Sequence, residues 1–180
     1  MFNIQYLKRF FKSSLLGVGG LLLFITILLV ISATAHAQRT KLPPFRIVQE
    51  NNTVFKAGQL PQGKPVVLIY FLPDCEHCHV VITNLLKHIN EFDKASVVMV
   101  TYYPPAEVGK FARKYGFDKR SNFYLGTEGN SFIIKNYYNL SKLPFMALYT
   151  KNGDLVKAYY SEEGFNDLLQ QLKPVIKRKR

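Results

Sequence analysis

The chain has 180 residues, of which 48% are hydrophobic; this excludes a disordered polar chain and leaves room for one domain of ordinary size. Lys and Arg number 24 against 12 Asp and Glu, a formal charge of +12. The cations are scattered, which reads as a solvated lysine-rich surface and not as a nucleic-acid site; only the tail Lys177-Arg178-Lys179-Arg180 is dense enough to touch anionic headgroups.

Lys8, Arg9 and Lys12 precede an apolar stretch from Leu15 to Ile31, followed by the small-residue sequence Ala33-Thr34-Ala35-His36-Ala37. Basic, apolar and Ala-x-Ala regions in that order read as a secretory signal peptide cut before Gln38. The stretch is longer than the ~7–15 residues usual in a signal and close to the ~20 that span a bilayer. Retained, it is an N-terminal membrane anchor with its basic end in the cytoplasm. Both readings export the remainder to the periplasm or cell envelope. Residues 1–37 hold three basic residues and no acidic one, so cleavage leaves 12 − 3 = +9.

Residues 38–53, with Pro43-Pro44 and Asn51-Asn52, read as a linker and loosely structured lead-in. A domain is expected over 54–173 and a basic tail over 174–180. Val54 to Leu60 holds a short edge strand, and Pro61-Gln62-Gly63-Lys64-Pro65 a turn. Val66–Phe71 is a continuous β-branched and aromatic run, the pattern of a central strand buried on both faces. From Cys75 the period becomes helical, with Val81, Leu85, Ile89 and Phe92 on one side and Lys87 and Glu91 on the other. Ser96–Tyr103 reads as a second core strand, and Ala106–Tyr115 as a helix stopped by Gly116.

Phe123–Leu125 is a short apolar segment and Ser131–Leu140 a weaker helix rich in tyrosine. Phe145–Thr150 and Leu155–Tyr160 flank Asn152-Gly153, a strong hairpin signal. Ser161 is expected to cap a last helix that runs to about Leu172, with Pro174 as its stop. Early strands joined through helices should be parallel. The expected fold class is α/β: a central mixed sheet with helices on both faces and a C-terminal β-hairpin plus helix.

The two cysteines stand three apart, as Cys75-Glu76-His77-Cys78, between the first core strand and its helix. A loop that short gains little from cross-linking, so the pair reads as a reversible disulfide and not as a staple. The thiolate is the reactive species, and the start of a helix directs N–H groups and the positive end of the dipole at the Cys75 sulfur. His77 can add a charge or a hydrogen bond, whereas the Glu76 carboxylate opposes a thiolate at Cys75. Cys78, one turn further in, is the expected resolving thiol.

Four features in sequence order carry a resemblance: Gly63-Lys64-Pro65-Val66-Val67-Leu68, Cys75-Glu76-His77-Cys78, Leu143-Pro144 and Asn152-Gly153. Over roughly Val54 to Leu172 the chain resembles the thioredoxin superfamily, and within it the exported TlpA-like thiol–disulfide oxidoreductases. The resemblance implies a thioredoxin-like fold, a cis proline at Pro144 lying against Cys75, and protein-disulfide exchange without a cofactor. It also implies that histidine at position 77 favours an oxidising pair, which Glu76 tempers towards an intermediate potential. Two departures stand out. Asp74 occupies the place before the first cysteine where the family often has tryptophan, and Ile69 the place where thioredoxins keep a buried aspartate that serves the second cysteine.

The expected catalytic residues are therefore Cys75, Cys78, His77, Glu76 and Pro144, in a monomer acting on cysteine-containing exported proteins with a membrane thiol–disulfide donor or acceptor. Direction, reductase or oxidase, stays open. Cys75-Glu76-His77-Cys78-His79 also fits covalent c-type haem attachment, and copper or zinc on the two sulfurs with His79 or His77 is a further alternative. A peroxiredoxin would set threonine where this chain has Leu72. His79 and His88 otherwise read as helix-surface residues, and Tyr137, Tyr138, Tyr159 and Tyr160 as core and edge packing.

Overall fold

Strand β3 (Val66–Tyr70) is the centre of the molecule, and every one of its residues is buried. In a computed structural model that describes residues 40–178, and Thr26, it lies in a seven-stranded sheet ordered β2-β1-β5-β4-β3-β6-β7. The other strands are β1 (Arg46–Val48), β2 (Val54–Lys56), β4 (Ser96–Thr101), β5 (Phe123–Thr127), β6 (Phe145–Tyr149) and β7 (Leu155–Tyr159). β3, β4 and β5 are parallel, joined through α1 (Glu76–Lys87) and α2 (Pro105–Tyr115). β6 runs antiparallel to β3, and β7 to β6, through the hairpin expected at Asn152-Gly153. A short helix α3 (Ile133–Tyr137) precedes β6, and α4 (Phe165–Lys177) closes the chain.

The alternation of side chains along β3 divides the interior in two. Val67, Ile69 and Phe71 point into a core built with α1, α2 and α4, including Val81, Leu85, Phe111, Phe165 and Leu172. Val66, Leu68 and Tyr70 point the other way, onto Phe45, Ile47, Leu60, Ile134 and Leu140. Each of these fully buried aliphatic side chains contributes about 1.5–3 kcal/mol, which is why β3, β4 and β6 carry almost no polar residue. Residues 39–180 form one compact unit that holds both cores and the whole sheet. Gly116, at φ +71, supplies the left-handed turn that ends α2, as expected.

Several expectations differ from what is found. The stretch 38–53 is not a loose lead-in throughout: β1 lies within it, pairs with β2 and touches β5 at Val48↔Thr127. Only three residues long, β1 is too short for periodicity to reveal it, yet Phe45 and Ile47 are buried. Its approach to β5 is so close that a Cβ on Gly126 would stand 2.8 Å from the Ile47 side chain.

The last helix starts four residues after Ser161, which makes no side-chain cap, and it passes through Pro174 to Lys177. Val175 and the partly buried Ile176 pack on the first core and carry the helix that further turn, so 174–177 belong to it and not to a tail. The weaker helix expected over Ser131–Leu140 shrinks to Ile133–Tyr137, entered through Phe132 at φ 44. The signal or anchor expected over 1–37 and the last two residues of the basic tail lie outside the described residues, Thr26 excepted. Among the described residues, no helix is long and apolar enough to cross a membrane.

Candidate active site

The parallel strands β3, β4 and β5 end at one edge of the sheet, and the cysteines follow β3 there. The turn Leu72-Pro73-Asp74 brings Cys75 to the N-cap of α1, its own N–H donating to the Leu72 carbonyl at 3.3 Å. The Cys75 sulfur accepts from the Cys78 N–H at 3.3 Å and faces the Cys78 thiol at 2.7 Å. Both cysteines are free thiols; Cys75 is half-buried, whereas Cys78 is sealed among core side chains. Burial pushes the Cys78 thiol strongly up, and its hydrogen bond to Cys75 adds to this. A backbone hydrogen bond with Leu72 opposes them, and the charges of Cys75 and Asp74 push up a little further.

Leu143-Pro144 is a cis peptide, Pro144 is buried, and the Leu143 carbonyl lies 4.0 Å from the Cys75 sulfur. The contact with the reactive sulfur is thus made by the carbonyl of Leu143, the residue before Pro144, across 68 positions in sequence.

His77 and Glu76 sit in the first turn of α1 but serve the cysteines less directly than expected. His77 is exposed and its Nδ1 lies 2.6 Å from Glu162 Oε1, in the turn before α4, so its hydrogen bond goes to that carboxylate and not to Cys75. Glu162 is held below the usual carboxylate range by its own backbone N–H first and by His77 second. Glu76 points to solvent.

Two further groups lie near the pair. Asp74 accepts a hydrogen bond from the Tyr103 hydroxyl at 2.6 Å, which pushes the Tyr103 phenol up to about 12. Tyr103 follows β4, and the rule that functional groups gather at the carboxyl ends of parallel strands is the signal that would have found it. The Leu143 carbonyl and Glu162 carry no sequence signal of their own.

Ile69, in the place of the family's aspartate, is fully buried in the same core as Cys78. The buried carboxylate of the described residues, Glu128, lies across the sheet. It accepts from the Tyr70 hydroxyl at 2.7 Å and from the N–H groups of Ile134 and Lys135 at 2.7 and 3.3 Å.

His79 Nε2 lies 2.6 Å from the Pro73 carbonyl, a partner only an N–H donor satisfies. That engages one of the two ring nitrogens through which a histidine ligates a metal. Among the described residues no three His, Cys, Asp or Glu gather closely enough to hold a metal ion. His88 contacts Glu91 on the helix surface at 3.0 Å. Of the tyrosines, 138 and 159 pack into the cores, Tyr137 reaches the Lys41 carbonyl at 2.9 Å, and Tyr160 stands exposed with its edge on Phe145.

No protein-family model matches the chain, and no curated protein sequence does. Solved structures do. A secreted Mycobacterium tuberculosis disulfide oxidoreductase, homologous to E. coli DsbE, superposes with a TM-score of 0.58 at 20% identity, covering 73% of this chain and 96% of that one. The exposed lipoprotein thioredoxin of Streptococcus pneumoniae gives 0.55 at 19%, covering 73% and 98%. This chain has the thioredoxin fold. A peroxiredoxin-like protein from Aquifex aeolicus matches as well, with a TM-score of 0.61 at 11% identity over 76% and 85%. The fold therefore accommodates more than one thiol chemistry, and the choice among them rests on the residues at the edge of the sheet.

Proposed function

We propose that the chain is a TlpA-like thiol–disulfide oxidoreductase in which Cys75 is the nucleophile and Cys78 the resolving thiol. One observation carries the reading: a half-exposed sulfur at a helix N-cap receives both the Cys78 N–H and the Cys78 thiol, beside a cis proline. Two donors on one sulfur are what a thiolate needs, and a buried thiol 2.7 Å away is placed to displace whatever that sulfur binds.

The Cys75 thiolate attacks one sulfur of a partner disulfide, forming a mixed disulfide and expelling the partner's other sulfur as a thiolate. Cys78 then attacks the Cys75 sulfur. The Cys75–Cys78 bond forms, the mixed bond breaks and the second partner thiolate leaves; one expelled sulfur takes the Cys78 proton, and the other takes from solvent the proton that Cys75 released on becoming a thiolate. Cys78 holds its proton firmly, so transfer of that proton to the departing thiolate accompanies its attack. Run backward, the same steps oxidise a dithiol. Pro144 and the backbone before it form the wall along which an extended substrate segment lies. Substrates are cysteine-containing exported proteins, the enzyme works as a monomer, and a membrane thiol–disulfide carrier returns it to its starting state.

The test is Cys78→Ser. It should accumulate a mixed disulfide with a cystine-containing peptide, seen by mass and reversed by dithiothreitol, whereas Cys75→Ser should form none. A Cys75→Ser protein that exchanges at the wild-type rate contradicts the assignment.

A further inference from the structure

The edge of the sheet opposite the cysteines has its own electrostatic character. Register fixes what lies there. Val66 pairs with Ser96 and Val97 with Phe123, so the segments that enter β3, β4 and β5 share one end of the molecule. The β6–β7 turn joins them, because Tyr149 stands opposite Val66. The C-terminus of α4 does too, since Lys151 Nζ donates to the carbonyls of Ile176 and Arg178 at 3.0 and 2.9 Å.

Lys64, Lys94, Lys119, Lys151, Lys177 and Arg178 all sit at this pole, and among the described residues none has a carboxylate partner. The acids there are few: Asp93 is neutralised by Arg120 and Glu91 by Lys173, each at 3.0 Å, Asp154 by Lys41, and Asp118 remains. At the cysteine end the balance reverses, with Asp74, Glu76, Glu162 and Glu163 outnumbering Lys135, over the Tyr102 ring, and Lys142, beside Leu143. Five residues of strand, about 17 Å, separate the two ends.

The described chain also enters at the basic pole. The Thr40 carbonyl accepts from Leu155 N–H at 2.6 Å, and the Leu42 N–H donates to the Gly153 carbonyl at 2.9 Å. Residues 1–39, with the apolar stretch Leu15–Ile31, precede that point.

We propose that this basic pole is a docking face for an anionic phospholipid surface, which turns the cysteine end away from the bilayer. Three observations favour lipid over nucleic acid. The cations come from five separate loops and termini spread over one end, not from a helix or a groove that tracks a backbone. Among the described residues the pole carries no exposed aromatic side chain for stacking; Tyr115 there is half-buried. The preceding chain holds a stretch of bilayer length. Cations near an anionic leaflet are attracted within a Debye length, ~10 Å at 0.1 M salt, which a shallow lysine-studded end reaches and the far acidic end does not. The arrangement stands whether or not the cysteines exchange.

The test uses residues 39–180, the compact unit with its own cores, so that no apolar N-terminal stretch contributes. Co-sedimentation is measured with vesicles of phosphatidylcholine alone and with one-third phosphatidylglycerol, in about 0.1 M salt. Binding is expected only to the anionic vesicles. Lys64→Glu with Lys119→Glu should weaken it at least tenfold, while Lys110→Glu with Lys135→Glu, the same change in net charge placed elsewhere, should weaken it less than threefold. Both variants must keep the wild-type circular dichroism spectrum; Lys64→Gln with Lys119→Gln is the substitute where the double swap does not. Equal losses from the two double variants, binding to neutral vesicles, or retention on double-stranded DNA without vesicle binding would each overturn the proposal.

Discussion

The two faces of the sheet are built from the same strand and treat polar groups in opposite ways. On one, Val67, Ile69 and Phe71 meet three helices and the cysteine pair, with no buried carboxylate among them. On the other, Val66, Leu68 and Tyr70 meet the entering chain and α3, and there a carboxylate is buried with three donors upon it. Glu128 fixes the Tyr70 ring and the start of α3, a positioning task that a saturated acid performs well. The other face has no such group, so the Cys78 thiol has no buried carboxylate beside it, and in the proposed exchange its proton leaves with the thiol it displaces. On that proposal, holding a loop and moving a proton fall to different sides of one sheet.

That division can be broken most severely at Cys75. Cys75→Ser should reduce disulfide exchange to background, measured by insulin or cystine-peptide turnover. Next in size, Ile69→Asp would place on the exchange face the acid it lacks. Without a partner, a carboxylate at a fully buried position should cost about 3–5 kcal/mol in urea unfolding. A variant of unchanged stability would mean the core around Cys78 admits water.

Glu128→Ala attacks the other face. Stranding the Tyr70 hydroxyl and the Ile134 N–H should cost about 2–4 kcal/mol, while the rate of thiol alkylation at Cys75 stays within twofold. Equal damage to both would merge the two faces into one functional unit. Asp74→Asn sharpens the contrast more gently. Removing the carboxylate that accepts from the Tyr103 hydroxyl should bring that phenol down from about 12 towards its ordinary 10, read by ultraviolet titration, with the buried carboxylate face unchanged.

The smallest effects lie at the surface and depend on pH. Glu91, Asp154, Glu162 and Asp167 are all held below the usual carboxylate range, by Lys173, by Lys41, by the Glu162 backbone and by Tyr159 respectively. A depressed carboxylate stabilises the fold above its unfolded value, ~4, and loses that contribution as pH falls through its folded value. Unfolding midpoints should be flat from neutral pH to about 5 and decline below 4.

The sequence revealed those parts of this molecule that repeat a pattern. Val66–Phe71, the helical period after Cys75, the left-handed Gly116 and the Asn152-Gly153 hairpin each announce themselves over several residues, and each is found. β1 does not, because three residues hold barely one alternation and its burial depends on Gly126 making room from another strand. Pro174 misleads for a related reason: a proline is tolerated in a last turn when Val175 and Ile176 supply packing that local rules do not see. At the site, the cysteines and Pro144 were legible through spacing and resemblance. The hydrogen bond of His77 was not, since Glu162 reaches it across 85 positions, nor was that of Asp74, whose partner Tyr103 stands just past the end of the next strand.

The reduction potential of residues 39–180 tests the central claim most directly. The unit is equilibrated in dithiothreitol or glutathione buffers and its free thiols are counted by mass after alkylation. A single reversible transition that converts two thiols into one intramolecular disulfide is the predicted result, with ~30 mV corresponding to ~1.4 kcal/mol along its axis. Two thiols that stay free across the whole range, or that are consumed only between molecules, would contradict an exchange role for Cys75 and Cys78.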